Sequence, residues 1–492
     1  MKLNNATIAQ LGEHIAHPTY PRHALGHGIV HIGVGGFHRA HEAVYTERFL
    51  RLTQDQNWGI CGIGLRESDS AMAQVLREQD YLYSLMELGQ AEYPRVEVIG
   101  AISDYLFAPD SPAAVLEKLA SPQTRIVSLT ITEGGYLLDD HSGEFNFDHA
   151  DIVHDLANPQ SPRTVFGYLS AALATRRERG LPAFTLMSCD NLPHNGDKAR
   201  HALLSFAARH DQALASWIAE NASFPNSMVD RITPITTSAH KELLRNFAAI
   251  EDAWPVVCEP FLQWVMEDDF CNGRPAWEQV GVQFTADVAP YEQMKMRLLN
   301  ASHSAMSYLG YLMGYRYSHE VMQDARLSGF IRRFMDLDVT PTLGTIEGIS
   351  LEQYKDTLVE RFANPRIGDQ LARLCMDGSS KIPKFILGTL EERLEAGAPA
   401  HRFALILAGW ALYLHNARQP GADYKVEDPL ADQLLSATAE AVGISGRLLG
   451  LEEIFGPQLQ HSVGFVTAVD TALQQLQHQG VTATLEQETW AA

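Results

Sequence analysis

Apolar positions follow two different textures along this chain. Between residue 28 and about residue 190, short apolar runs alternate with longer amphipathic stretches. Gly28 to Val34 (Gly-Ile-Val-His-Ile-Gly-Val) reads as a short buried strand. A helical pattern follows from about His38 to Leu52, then a strand over Trp58 to Leu65 and a helix over Glu67 to Gln79. Further strands are predicted over Val96 to Ala101, Arg125 to Thr132 and Ala183 to Ser188. Strands that alternate with helices imply parallel pairing and an α/β, doubly wound sheet. After about residue 285 helical periodicity dominates, over 291–315, 318–336, 351–375, 382–396, 400–416, 428–440 and 460–479. The expected organisation is an α/β domain over 1–285 and a mainly α-helical C-terminal domain over 286–492, with no internal repeat.

Composition narrows the function classes. The chain has 492 residues, enough for two or three domains, and a formal charge of −22. A nucleic-acid partner is not expected, because that affinity is driven by lysine and arginine patches. The five cysteines (Cys61, Cys189, Cys258, Cys271 and Cys375) are widely spaced and odd in number, which argues for reduced thiols and a cytoplasmic location. The N-terminus lacks an apolar secretion core. The longest apolar run, Phe403 to Leu414, is too short to span a bilayer and reads as a buried helix. No membrane partner is expected, and a monomer is compatible with the pattern.

Three stretches carry candidate chemistry. Gly33-Val-Gly-Gly-Phe37 follows a strand and opens a helix, the context of a dinucleotide loop. Glycines let the backbone approach a pyrophosphate, and a helix N-terminus supplies N–H donors. Asp69, with Glu67 as an alternative, lies just beyond the second strand, where a carboxylate accepts from an adenosine ribose and disfavours a 2′-phosphate. The plainer reading of Ser68-Asp69-Ser70 is a helix cap. Glu133 and Asn191 each follow a strand end, the edge at which ligands of open α/β sheets bind.

Lys295, Asn300 and His303 stand out in an otherwise apolar helical run. At 100° per residue they share one broad helix face, which offers an amine, an amide and an imidazole. Arg373 and Lys381, beside Asp377-Gly-Ser-Ser, either bind a polar substrate or pair with surface carboxylates. A metal site is not expected. His38 and His41 have no nearby third ligand in the sequence, and no Walker loop or nucleophile elbow occurs.

Several motifs resemble the polyol-specific long-chain dehydrogenase family over essentially the whole chain. They are Gly33-Val-Gly-Gly-Phe-His-Arg-Ala-His, Thr132-Glu-Gly-Gly-Tyr, Ser188-Cys-Asp-Asn-Leu-Pro-His-Asn-Gly, Met228-Val-Asp-Arg-Ile, Cys258-Glu-Pro-Phe, Lys295-Met-Arg-Leu-Leu-Asn-Ala-Ser-His and Asp377-Gly-Ser-Ser-Lys. The resemblance implies a Rossmann-like NAD-binding domain, a helical substrate-binding domain and a reaction at a cleft between them. It implies metal-independent, reversible oxidation of D-mannitol to D-fructose with NAD as cofactor. Lys295 would be the general base, with Asn191 and Asn300 polarising the reacting oxygen. His303, Arg373 and Lys381 would bind substrate, Glu292 would carry the proton to solvent, and Gly33, Gly35, Gly36, Phe37, Asp69 and Glu133 would hold the cofactor. Uronate reductases of the family tend to carry Lys where Gly134 stands and Gln where Ser380 stands, so a neutral polyol is favoured over D-mannonate. D-arabinitol oxidation, fructuronate reduction and a non-catalytic NAD-binding sensor are the alternatives.

Overall fold

The computed structural model describes residues 1–139, 142–440 and 442–487. The chain divides into two compact units, Met1–Ala289 and Pro290–Ala492.

The strands of the first unit are β1 (Ile29–Ile32), β2 (Ile60–Gly64), β3 (Tyr83–Glu87), β4 (Arg95–Ile99), β5 (Ile102–Phe107), β6 (Ile126–Leu129), β7 (Thr185–Ser188), β8 (Ser227–Asp230), β9 (Val256–Cys258), β10 (Gln263–Glu267) and β11 (Gln283–Thr285). Five of them form a parallel sheet in the order β5-β2-β1-β6-β7. The order reverses between β1 and β6, and that switch point is where open α/β sheets take ligands.

Both faces of this sheet are covered, which explains why β1, β2, β6 and β7 read as mainly apolar runs; the edge strand β5, where Ser103 and Asp104 are half-buried, was not foreseen. Val30, Ile32, Cys61, Ile63, Val127, Leu129 and Leu186 face one core, packed by the helices Pro112–Ala120, Val165–Glu178 and Asn195–His210. Ile29, Ile60, Ile126 and Met187 face the other, against the helix Glu42–Thr53 and the helix Ser70–Glu78. The alternation has the two-residue period of a strand. Each such side chain, fully buried, contributes about 1.5–3 kcal/mol.

Two expectations need correction here. The strand expected over Val96 to Ala101 exists as β4 but lies outside the parallel sheet. It pairs antiparallel with β3 in a separate sheet ordered β4-β3-β9, and β11-β10-β8 form another. The local partner β3 was not read as a strand, and its long-range pairing with β9 leaves no trace in the alternation of strand and helix. The helix expected from His38 to Leu52 is two helices, α1 (Gly36–Ala40) and α2 (Glu42–Thr53). They are separated at His41, whose φ of −124° and ψ of −92° are not helical.

The second unit is helical. The helix His401–Asn416 is buried throughout Arg402 to Leu414 and packs against Ala301–Leu312 and Val463–Leu485. The helix expected over 351–375 stops at Phe362, because Pro365 follows and cannot continue it; Leu371–Cys375 is a separate short helix. Among the described residues, three stretches wind as π-helix: Lys295–Asn300, Phe334–Val339 and Pro383–Leu387. The first packs against both of the others. Among the described residues, no helix is long and apolar enough to cross a membrane.

Candidate active site

In the first unit the site begins where β1 ends. Gly33 has a φ of +98°, a conformation that side-chain-bearing residues rarely adopt. A Cβ there would stand 2.1 Å from the Thr130 carbonyl oxygen, so β1 and β6 approach this closely only over glycine. Gly35 is the N-cap of α1. Because α1 is only five residues long, the donors available here are those of the loop backbone more than of a long helix.

A cavity of about 390 Å³ opens at this point and is lined by the ends of β1, β2 and β6. Gly33 and Gly35 line it, with Arg66, Asp69, Thr132 and Gly134. These residues fit a dinucleotide: glycine backbone on one wall, and a carboxylate beyond β2 on another. Asp69 also serves as a cap, since its Oδ2 accepts from the Arg66 backbone N–H at 3.0 Å. The cap contact thus leaves Asp69 on the cavity wall. Gly64 leaves the room it needs, for a Cβ there would lie 2.7 Å from Asp69 Cβ and 2.4 Å from the Tyr105 hydroxyl. Gly36 follows Gly35 as the first residue of α1. Phe37 stacks on His41 at 4.9 Å and packs against the core. Glu133 opens the turn Glu133–Tyr136, between the cavity-lining residues Thr132 and Gly134.

Asn191 is exposed, two residues beyond the buried Cys189 that follows β7. Its neighbour Asp190 makes a brace that the sequence reading missed. Asp190 Oδ2 accepts from Ile131 N at 3.0 Å and from the Tyr136 hydroxyl at 2.8 Å; Oδ1 accepts from Thr132 N at 2.9 Å. The end of β7 is thereby tied to the loop after β6 that lines the cavity. Burial pushes the Asp190 carboxyl above its ordinary range, although the donors from Ile131, Tyr136 and Thr132 pull the other way. Asn195, fully buried, donates to the carbonyls of Asp190 and Ser227. Arg231 and Glu259, from two quoted motifs without a role in the sequence reading, meet around α1. Arg231 donates to the carbonyls of Glu259 and Ala40 and to Glu87.

In the second unit, Lys295 and Asn300 mark the two ends of a π-helical turn. Such turns are rare and recur at functional sites. The 100° spacing used to place Lys295, Asn300 and His303 belongs to a regular α-helix, so those angles do not hold through the wider turn. Lys295 and Asn300 are each 7% exposed and Glu292 is 6% exposed. Asn300 Oδ1 is buried with no hydrogen-bond partner among the described residues, which leaves an acceptor for a bound hydroxyl.

The remaining substrate candidates are linked through Asp369, a residue the sequence reading did not single out. Asp369 Oδ1 accepts from Arg373 Nε at 3.0 Å and Nη2 at 2.6 Å, and Oδ2 lies 3.9 Å from His303 Nε2. The His303 ring also packs on Phe362, with centroids 4.7 Å apart. Lys381 Nζ donates to the carbonyls of Arg373 and Leu374 at 3.2 and 3.3 Å, and burial lowers its pKa from the usual lysine value. His303, Arg373 and Lys381 are therefore brought together. The pairing of Arg373 with a carboxylate, one of the two readings left open by the sequence, is what this structure contains.

Comparison with known proteins bears on both halves. Residues 27–279 match the mannitol dehydrogenase Rossmann domain, and residues 287–477 match the mannitol dehydrogenase C-terminal domain. A mannitol 2-dehydrogenase of Phaeosphaeria nodorum is 46% identical over 99% of this chain and 85% of its own length. The structure of Pseudomonas fluorescens mannitol 2-dehydrogenase in ternary complex with NAD and D-mannitol is similar over 99% of both chains, with 53% identity and a TM-score of 0.90. A substrate-free D-sorbitol dehydrogenase structure is similar over 99% of this chain and 100% of its own, with 38% identity and a TM-score of 0.90. The chain belongs to the mannitol dehydrogenase family.

Proposed function

We propose that this protein is an NAD-dependent polyol dehydrogenase that interconverts D-mannitol and D-fructose. The observation that carries the reading is the buried pair Lys295 and Asn300 on a π-helical turn, in a chain 53% identical to a mannitol 2-dehydrogenase solved with NAD and D-mannitol. NAD supplies the hydride acceptor; its pyrophosphate suits the Gly33 to Gly35 loop and its ribose hydroxyls suit Asp69.

The neutral amine of Lys295 takes the hydroxyl proton while hydride leaves the carbinol carbon, so the alcohol becomes a ketone. The proton passes on to solvent with the help of Glu292. A base that works near neutral pH needs an uncharged amine, the role this reading gives Lys295. The amides of Asn191 and Asn300 donate to the oxygen as negative charge builds on it. His303, with Arg373 and Lys381 behind it, orients the remaining hydroxyls. Gly134 supports a neutral substrate: open space surrounds its Cβ position, so a lysine would fit there, and the chain provides none. The acidic chain and its five free thiols suit a reducing cytoplasm.

The test is a panel of D-mannitol, D-sorbitol, D-arabinitol and D-mannonate, each with NAD, followed by NADH absorbance. D-mannitol is expected to give the highest kcat/KM. A preference for D-mannonate would overturn the substrate assignment, and no turnover of any polyol would favour a sensor.

A further inference from the structure

Beneath the glycine loop lies a buried polar cluster that the reaction itself does not use. His31 of β1, His38 of α1 and Glu42 of α2 are 0%, 1% and 0% exposed. Their ligand-type atoms lie within 4.8 Å of one another, and the two imidazoles stack with centroids 3.4 Å apart. His38 Nδ1 is 3.1 Å from Glu42 Oε2, and the Ser128 hydroxyl donates to the same oxygen at 2.8 Å. His31 Nδ1 is 2.8 Å from Ser128 Oγ and 3.2 Å from Glu42 Oε2. On its other side His31 Nε2 is 2.9 Å from Thr130 Oγ1, which donates to the Gly33 carbonyl at 2.7 Å.

Counting protons gives this chain a direction. Both ends are pure acceptors: the Gly33 carbonyl and the Glu42 carboxylate. Burial raises the Glu42 pKa, but the hydrogen bonds of His31 and His38 bring it below the ordinary carboxylate range, so Glu42 is ionised. Each hydroxyl carries one proton. Thr130 spends its own on Gly33, so its contact with His31 is met by a proton on Nε2 of the ring, while Nδ1 faces Ser128 and Glu42. The contacts run from Glu42 through Ser128 to His31, and from His31 Nε2 to Thr130 to Gly33. His38 is held neutral, mainly by burial, with its pKa lowered to about 4. Asp190 is the other carboxylate whose charge His31 feels. If His31 Nε2 carried no proton, the Thr130 hydroxyl would turn toward the ring and the Gly33 carbonyl would lose its donor.

We propose that Glu42, Ser128 and His31 act as a positioning relay that aims the Thr130 hydroxyl at the Gly33 carbonyl and so presets the loop for NAD. The Gly33–Val34 peptide is planar and trans, so holding its carbonyl toward Thr130 turns the Val34 N–H the opposite way. Gly33, Val34 and Thr130 all line the cavity. The inference rests on the dinucleotide reading given above.

Two measurements test it without any polyol. NADH affinity is titrated by fluorescence for wild type, Thr130→Val and Thr130→Ser. Valine keeps the shape of threonine and removes the hydroxyl, and the loss of one hydrogen bond is expected to weaken binding about five-fold. Serine restores the hydroxyl and is expected to bind within about two-fold of wild type, which a purely steric role would not give. Neutron diffraction on the wild-type protein is expected to find a deuteron on Nε2 of His31, and needs no variant to fold. Unchanged affinity in Thr130→Val, equal weakening in both variants, or no deuteron on His31 Nε2 would overturn the relay. A wild-type protein that binds no NADH would instead overturn the dinucleotide reading.

Discussion

Replacing Asp190 tests whether the cavity wall depends on the brace behind it. Asp190 holds three donors: the backbone N–H of Ile131, the backbone N–H of Thr132 and the Tyr136 hydroxyl. Ile131 and Tyr136 are buried, whereas Thr132 is exposed and water can replace its partner after mutation. Asp190→Ala therefore orphans one buried donor, the Ile131 N–H, at about 1–3 kcal/mol, since the Tyr136 hydroxyl keeps Ser188 Oγ at 2.5 Å. Burial already penalises the carboxylate, so part of this cost is returned when it is removed. The net local loss is about 2 kcal/mol for alanine. Asp190→Asn retains one acceptor oxygen, turned toward Ile131 and Tyr136, and is expected to lose about 1 kcal/mol or less. Hydrogen exchange of the segment 129–136 reads this directly. Since about 1.4 kcal/mol is a factor of ten, Asp190→Ala is expected to speed exchange there roughly thirty-fold and Asp190→Asn at most about five-fold. NADH affinity is expected to fall in the same order. Exchange and affinity both unchanged in Asp190→Ala would refute the reasoning, because the loop would then be held without the brace.

Two further outcomes are expected. Lys295→Ala is expected to lower kcat by about 10²–10⁴-fold while NADH affinity, measured by titration, stays near wild type; near-normal turnover would remove Lys295 as the base. His38 and His41 have folded pKa values pushed down by burial to about 4 and about 3. The unfolded chain protonates these groups first, so stability is full above about pH 6.5 and declines on acidification toward pH 4, with an upper limit of about 1.4 kcal/mol per pH unit for each group. Tm is expected to fall between pH 7 and pH 4.5, and a Tm that held or rose over that interval would contradict the assignment.

The segment from Tyr291 to His303 illustrates how far sequence reading reached. Its residue types pointed to proton transfer and oxygen binding, and its apolar neighbours pointed to burial. Regular helical spacing did not foresee the π-helical turn, because winding is decided by how a helix packs against neighbours, here two other π-helical stretches distant in sequence. Asp369 and Asp190 escaped notice for a related reason. An aspartate in a loop reads as a solvated turn residue until the donors that converge on it are known.

The sequence by itself determined the local features. Apolar runs marked four of the five strands of the parallel sheet and missed the edge strand β5, helical periodicity marked the second unit, and glycines marked the loop that ends β1. Each follows from side-chain period and backbone freedom, which act within a few residues. Only the tertiary structure decided which strands pair, where Arg231 and Glu259 meet, and that His31, 97 residues from Ser128, lies within hydrogen-bond distance of its hydroxyl. Those facts depend on non-local contacts, whose pairing is set by the packed core as a whole and leaves no periodic trace in the chain.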